Sequence, residues 1–114
     1  MTPETLIALS LQRALLGAVT PNIRQVSFRL APLNDADIDA LLSEQPATRL
    51  LAGARGRRPA DLSALAEVLR RLSDIARLPG LEREISEIEI NPLVAGEHGV
   101  LALDALIVLR GQET

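Results

Sequence analysis

Lysine, cysteine, tryptophan and tyrosine are absent from this 114-residue chain, and phenylalanine occurs once, at Phe28. Each gap excludes a chemistry. Without lysine there is no amine to form a Schiff base or hold a phosphate as a point charge. Without cysteine there is no disulfide framework, thiolate nucleophile or thiolate metal site. The missing aromatics remove the usual platforms for stacking bases. All twelve basic residues are arginine, interleaved with fifteen acids to a net charge of −3, so no basic stripe points to nucleic acid. No apolar run approaches a membrane span, and Met1-Thr2-Pro3-Glu4 is not followed by a signal-peptide pattern. The default expectation is a cytoplasmic protein with an aliphatic core, no membrane partner and no nucleic-acid partner.

Periodicity supplies the elements. Thr2-Pro3-Glu4 offers a capping hydroxyl, a proline at the first helical position and an acid at the positive end of the dipole. Leu6, Ile7, Leu11, Ala14 and Leu15 then recur at helical spacing, which predicts an amino-terminal helix and turn over residues 1–22. Leu9 and Leu16 lie off that stripe, so such a helix is apolar on more than one side. Residues 23–30 alternate, with Val26, Phe28 and Leu30 on one face, as in a half-buried strand. Asn34 and Asp37 form a helix-capping pattern ahead of Ile38, Leu41 and Leu42, and Pro46 ends that segment. Gly53, Gly56 and the arginines at 55, 57 and 58 mark an exposed loop. Asp61 caps a second helix along Leu62, Leu65, Leu69, Leu72 and Ala76, closed by Pro79-Gly80. Strands over about 84–95 and 100–109 follow. The predicted fold is α+β: a small antiparallel sheet with helices packed on one face.

The last two strands carry the chemistry. Along Ile85–Leu93, Glu87, Glu89 and Asn91 share one face, while Ile88 and Ile90 point to the core. If Gly96-Glu97-His98-Gly99 is a four-residue turn, Ala95 pairs with Val100, Asn91 with Asp104 and Glu89 with Leu106. Opposed side chains have Cβ atoms about 4.5–5.5 Å apart. An amide oxygen and a carboxylate at that separation can converge on one hard cation, and Mg²⁺ takes its other oxygens from water and phosphates. Asp104 also interrupts an otherwise apolar run from Val100 to Leu109. Buried, it needs a partner or a metal; on a solvated face it needs neither. Both readings stand.

These residues resemble a known family. Glu87-Ile88-Glu89-Ile90-Asn91-Pro92-Leu93 followed by Leu101-Ala102-Leu103-Asp104-Ala105 is similar to the paired Mg²⁺-binding strands of the succinyl-CoA synthetase superfamily. The blocks at Val26–Leu33 and Leu50–Leu62 are similar to the ADP-forming acetyl-CoA synthetase branch, some of whose members are fused to protein acetyltransferases. The resemblance implies the carboxyl-terminal lobe of the ATP-grasp domain of an NDP-forming acyl-CoA synthetase over residues 23–110, with 111–114 as a tail. It implies Mg²⁺ and ATP or ADP as cofactors, with Asn91 and Asp104 as metal ligands and Glu89 orienting the metal's surroundings. Arg55 falls in the family's glycine- and arginine-rich block, as a phosphate contact or a contact to a neighbouring subdomain. The implied partners are the first ATP-grasp lobe and the CoA-binding and phosphohistidine domains of a complete synthetase.

There are departures. Residues 1–22 do not match the family's preceding strand, the first lobe with its phosphate-binding lysine is not seen, and Leu106 stands where the family commonly has a basic residue. The lobe is therefore expected not to catalyse alone. A second expectation is a non-catalytic interaction or self-association module (a degenerate relative, a fragment or a chimera that retains the fold only) whose amino-terminal helix self-associates or docks a partner. His98, in the predicted turn, reads as a solvated loop residue rather than a catalytic base.

Overall fold

The computed structural model describes residues 4–15, 18–19, 26–45 and 59–111, with side chains at 13–15 and 18–19 outside the described set. Its described elements are β1 (Leu6–Leu15), β2 (Ala18–Val19), β3 (Ser27–Leu30), α1 (Asp35–Glu44), α2 (Leu62–Ala76), α3 (Leu81–Glu84), β4 (Ile85–Ala95), β5 (Val100–Ala102) and β6 (Ala105–Leu109). All six strands join one sheet: β3, β1 and β4 lie side by side, β5 and β6 follow one another along the far edge of β4, and β2 pairs with the end of β1. The β1–β4 pairing is parallel and the others are antiparallel. The α+β class with helices on one face is as expected, and the parallel pair at its centre is an addition to it.

That addition corrects the first element. The predicted amino-terminal helix is a strand, β1, hydrogen-bonded to β3 on one side and β4 on the other. Ile7, Leu9 and Leu11 face the helices, yet Ala8, Ser10 and Gln12 on the opposite face are almost fully buried as well. A strand covered on both faces loses the polar–apolar alternation that identifies strands, and its apolar run then fits a helical template as well. Thr5, at the strand's entry, donates its hydroxyl to the Ile85 carbonyl at 2.7 Å.

The core lies between the sheet and α1–α2. Leu9, Leu11, Ile90 and Leu93 of the sheet meet Ile38 and Leu41 of α1 and Leu65 and Leu69 of α2. Ile7, Ile85 and Ile88 meet Ala76 and Ala31 nearby. Helix α1 begins at the capping box read from the sequence: Asn34 Oδ1 accepts from the Asp37 N–H at 2.8 Å, and Asp37 returns the bond at 3.0 Å. Helix α2 begins at Asp61, whose Oδ1 accepts from the Ala64 N–H at 3.0 Å. Leu62, the first residue of the helix's apolar stripe, is 44% exposed.

Strand β3 turns the other way from expectation. Phe28 is 49% and Leu30 47% exposed, whereas Ser27 is 3% exposed and faces α1. The Gln45 side chain decides this. Its amide nitrogen donates to Ser27 Oγ at 2.8 Å and to the Leu9 carbonyl at 2.9 Å, and its oxygen accepts from the Leu11 N–H at 3.0 Å. A polar anchor on the helix side makes the serine face the inner one.

Candidate functional site

The face of the sheet opposite the described helices is where Glu89, Asn91 and Asp104 meet. Residues paired across strands point to the same side, so the registers define rows. One row runs Phe28, Ala8, Glu89, Leu106, and the next runs Leu30, Leu6, Glu87, Val108. The hairpin register is the expected one: Ala95 pairs with Val100 and Glu89 with Leu106. Gly99, at φ 89°, supplies the left-handed residue that closes the turn.

Asn91 and Asp104 stand opposite one another where β5 gives way to β6. The Asn91 N–H donates to the Asp104 carbonyl at 3.0 Å, and the Leu103 N–H donates to the Pro92 carbonyl at 3.1 Å. Glu89, Asn91, Asp104, Ala105 and Leu106 line a concavity of about 210 Å³. Glu89 and Asn91 are half-buried and Asp104 is exposed. The apolar run therefore does not carry Asp104 into the core. It breaks at Leu103-Asp104, and the carboxylate escapes the desolvation cost that a continuous buried strand would have imposed.

Among the described residues this face is electrostatically one-sided. Glu87, Glu89 and Asp104 project there, and no ion pair among the described residues engages any of them. Among the described residues no three or more His, Cys, Asp or Glu side chains cluster to enclose a metal ion. The donor set is two carboxylates and an amide oxygen at an open concavity. That suits a hard cation completing its octahedron with water and phosphate oxygens, and does not suit a fully protein-caged one. Arg55 lies outside the described residues. His98 is exposed in the β4–β5 turn.

Two features escaped the sequence. A bulge in the β1–β4 register falls between Leu9/Ile90 and Leu11/Leu93, setting Ser10 of β1 beside Asn91-Pro92. The Ser10 hydroxyl is buried there with no hydrogen-bond partner. Asp61 reaches the same hairpin from α2, accepting from the Gly99 N–H at 2.9 Å while its own N–H donates to the Gly96 carbonyl at 2.8 Å. The only sequence signal for either was a small polar residue in an apolar run and a helix cap.

Comparison with known proteins bears on the family and the fold. The profile of the ATP-grasp domain matches residues 14–109. The β subunit of acetate–CoA ligase (ADP-forming) I from Pyrococcus furiosus is 40% identical over 94 residues, which is 82% of this chain and 39% of that protein. The 4-hydroxybutyrate–CoA ligase (ADP-forming) of Nitrosopumilus maritimus is 35% identical, over 73% of this chain and 12% of its own length. The solved structure of acetyl-coenzyme A synthetase 1 from Candidatus Korarchaeum cryptofilum, with coenzyme A and Mg-AMPPCP, superposes with a TM-score of 0.64 at 30% identity, covering 96% of this chain and 54% of that one. The chain thus spans about two fifths of the Pyrococcus subunit and about half of the solved chain.

Proposed function

The chain belongs to the ATP-grasp domain family, and from that premise we propose that it is the nucleotide- and Mg²⁺-binding lobe of an ADP-forming acyl-CoA ligase, incomplete as a catalyst by itself. The observation that carries the reading is the opposition of Asn91 and Asp104 beside Glu89 on one open concavity. In this reading Asn91 Oδ1 and the Asp104 carboxylate hold the metal, and Glu89 orients the water around it. The bound ion neutralises the phosphate charge of ATP or ADP. Arg55 is the candidate phosphate contact from the neighbouring loop, with a contact to an adjoining subdomain as its other role. The first ATP-grasp lobe and the CoA-binding and phosphohistidine domains of a complete synthetase are the proposed partners. The relatives' larger size and the Mg-AMPPCP held by the solved synthetase support this.

The acidic face sets the order of binding. Glu87, Glu89 and Asp104 repel a polyphosphate, so the nucleotide is expected to bind only with its cation. Titration calorimetry with ADP in Mg²⁺ and in EDTA tests this. Heat is expected in Mg²⁺ alone, with affinity falling at least tenfold in Asp104→Ala and in Asn91→Ala. Equal heats from wild type and Asp104→Ala would remove the metal role.

A further inference from the structure

The two long edges of the sheet are guarded unequally. On β3, a strand of four residues, Arg29 donates to Glu44 and closes that flank with an ion pair. The opposite edge, β6, carries no charge, proline or glycine over Ala105-Leu106-Ile107-Val108-Leu109. Leu106 is 52%, Ile107 53% and Leu109 40% exposed, so aliphatic side chains stand uncovered on both faces of this edge. Soluble proteins normally break such edges with lysine, proline or a bulge.

The backbone is equally open. The Asp104 carbonyl accepts from the Asn91 N–H, the Val108 carbonyl from the Ser86 hydroxyl, and the Arg110 N–H donates to the Glu84 carbonyl. Positions 104, 108 and 110 thus turn their polar groups toward β4. Strand alternation then turns those of Ala105, Ile107 and Leu109 outward.

We propose that β6 is a homodimerisation edge, pairing antiparallel with β6 of a second copy about a twofold axis at Ile107. That register opposes Ile107 to Ile107, Ala105 to Leu109 and Leu106 to Val108, every rung aliphatic. The three outward-facing residues of each copy exchange their N–H and C=O groups as hydrogen-bonded pairs. The register also sets Asp104 of each copy opposite Arg110 of the other; that guanidinium donates to the Glu4 and Ile85 carbonyls of its own chain, so it brings positive charge to each end rather than a free ion-pairing arm, and no like charges meet. An unrelated strand would have to supply the same apolar pattern and the same charge order; a second copy supplies both by symmetry. The proposal shares Asp104, Ala105 and Leu106 with the concavity of the metal reading but rests on the β6 edge itself, and its test uses neither metal nor nucleotide.

The absence of cysteine makes the test clean. A hydrogen-bonded antiparallel pair holds its Cα atoms about 5.5 Å apart, within disulfide reach. Ile107→Cys is expected to give a covalent dimer on mild oxidation, while Ile75→Cys, exposed at 38% on α2, stays reduced under the same conditions. Sedimentation equilibrium of the unmodified chain is expected to show a monomer–dimer equilibrium, its dissociation constant raised more than tenfold by Ile107→Lys. Ile107→Pro removes only an outward N–H and serves if the lysine variant fails to fold by circular dichroism. A wild-type chain monomeric up to about millimolar concentration, or cross-linking of Ile75→Cys as fast as Ile107→Cys, overturns the proposal.

Discussion

The amide of Gln45, buried between α1 and the sheet, takes the place of a strand neighbour for β1. It serves the Leu11 N–H, the Leu9 carbonyl and Ser27 Oγ at once. Gln45→Ala leaves two backbone groups unpaired and is expected to cost about 2–5 kcal/mol in urea unfolding, since each orphaned group costs about 1–3 kcal/mol. Ser10 has the opposite sign. Its hydroxyl is buried without a partner, so Ser10→Ala is expected to stabilise the chain by about 1 kcal/mol in the same measurement. The hydrogen bond from Arg29 holds the Glu44 carboxyl below its usual range, and the same contact raises Arg29. A depressed carboxylate contributes stability above its unfolded pKa and loses it as pH falls through the folded value. The unfolding midpoint of wild type is therefore expected to converge on that of Glu44→Gln below about pH 4, with only a small difference at pH 7 because the pair is exposed. None of these roles was readable in the sequence, because each depends on which distant backbone group a side chain meets.

At the scale of elements, the helices announce themselves and the central strand does not. Asn34, Asp37 and Asp61 act within three residues of themselves, so their capping bonds follow from local spacing. The same Asp61 also ties α2 to the β4–β5 turn through Gly96 and Gly99, and that second role appears only in the fold. Asp61→Asn keeps one acceptor for the cap and loses the Gly99 bond. It is expected to cost about 1 kcal/mol, and Asp61→Ala about 2–3 kcal/mol, with faster amide exchange around Gly99 in both. Strand β1 was hidden because it is buried on both faces. Leu9→Ala, at the centre of it, is expected to cost roughly 2–5 kcal/mol by opening a cavity between β1, α1 and α2.

At the scale of the molecule, one face of the sheet is occupied by helices and the other presents the acids. Because the proposed metal donors line an open concavity rather than a cage, the metal is not expected to hold the fold together. EDTA should leave the thermal midpoint unchanged, in contrast to a structural metal site. A melt that shifts by several degrees on chelation would contradict this. What the sequence determined by itself was the set of local facts: the caps, the turn at Gly96–Gly99, and the register that brings Asn91 to Asp104. Each depends on neighbours a few residues away along the chain or across a tight hairpin. Tertiary structure alone decided that residues 6–15 are a strand between β3 and β4, that Phe28 faces outward while Ser27 faces in, and that Asp104 is exposed. Those outcomes turn on parallel pairing across some eighty residues and on one buried amide, and neither leaves a periodic trace in the chain.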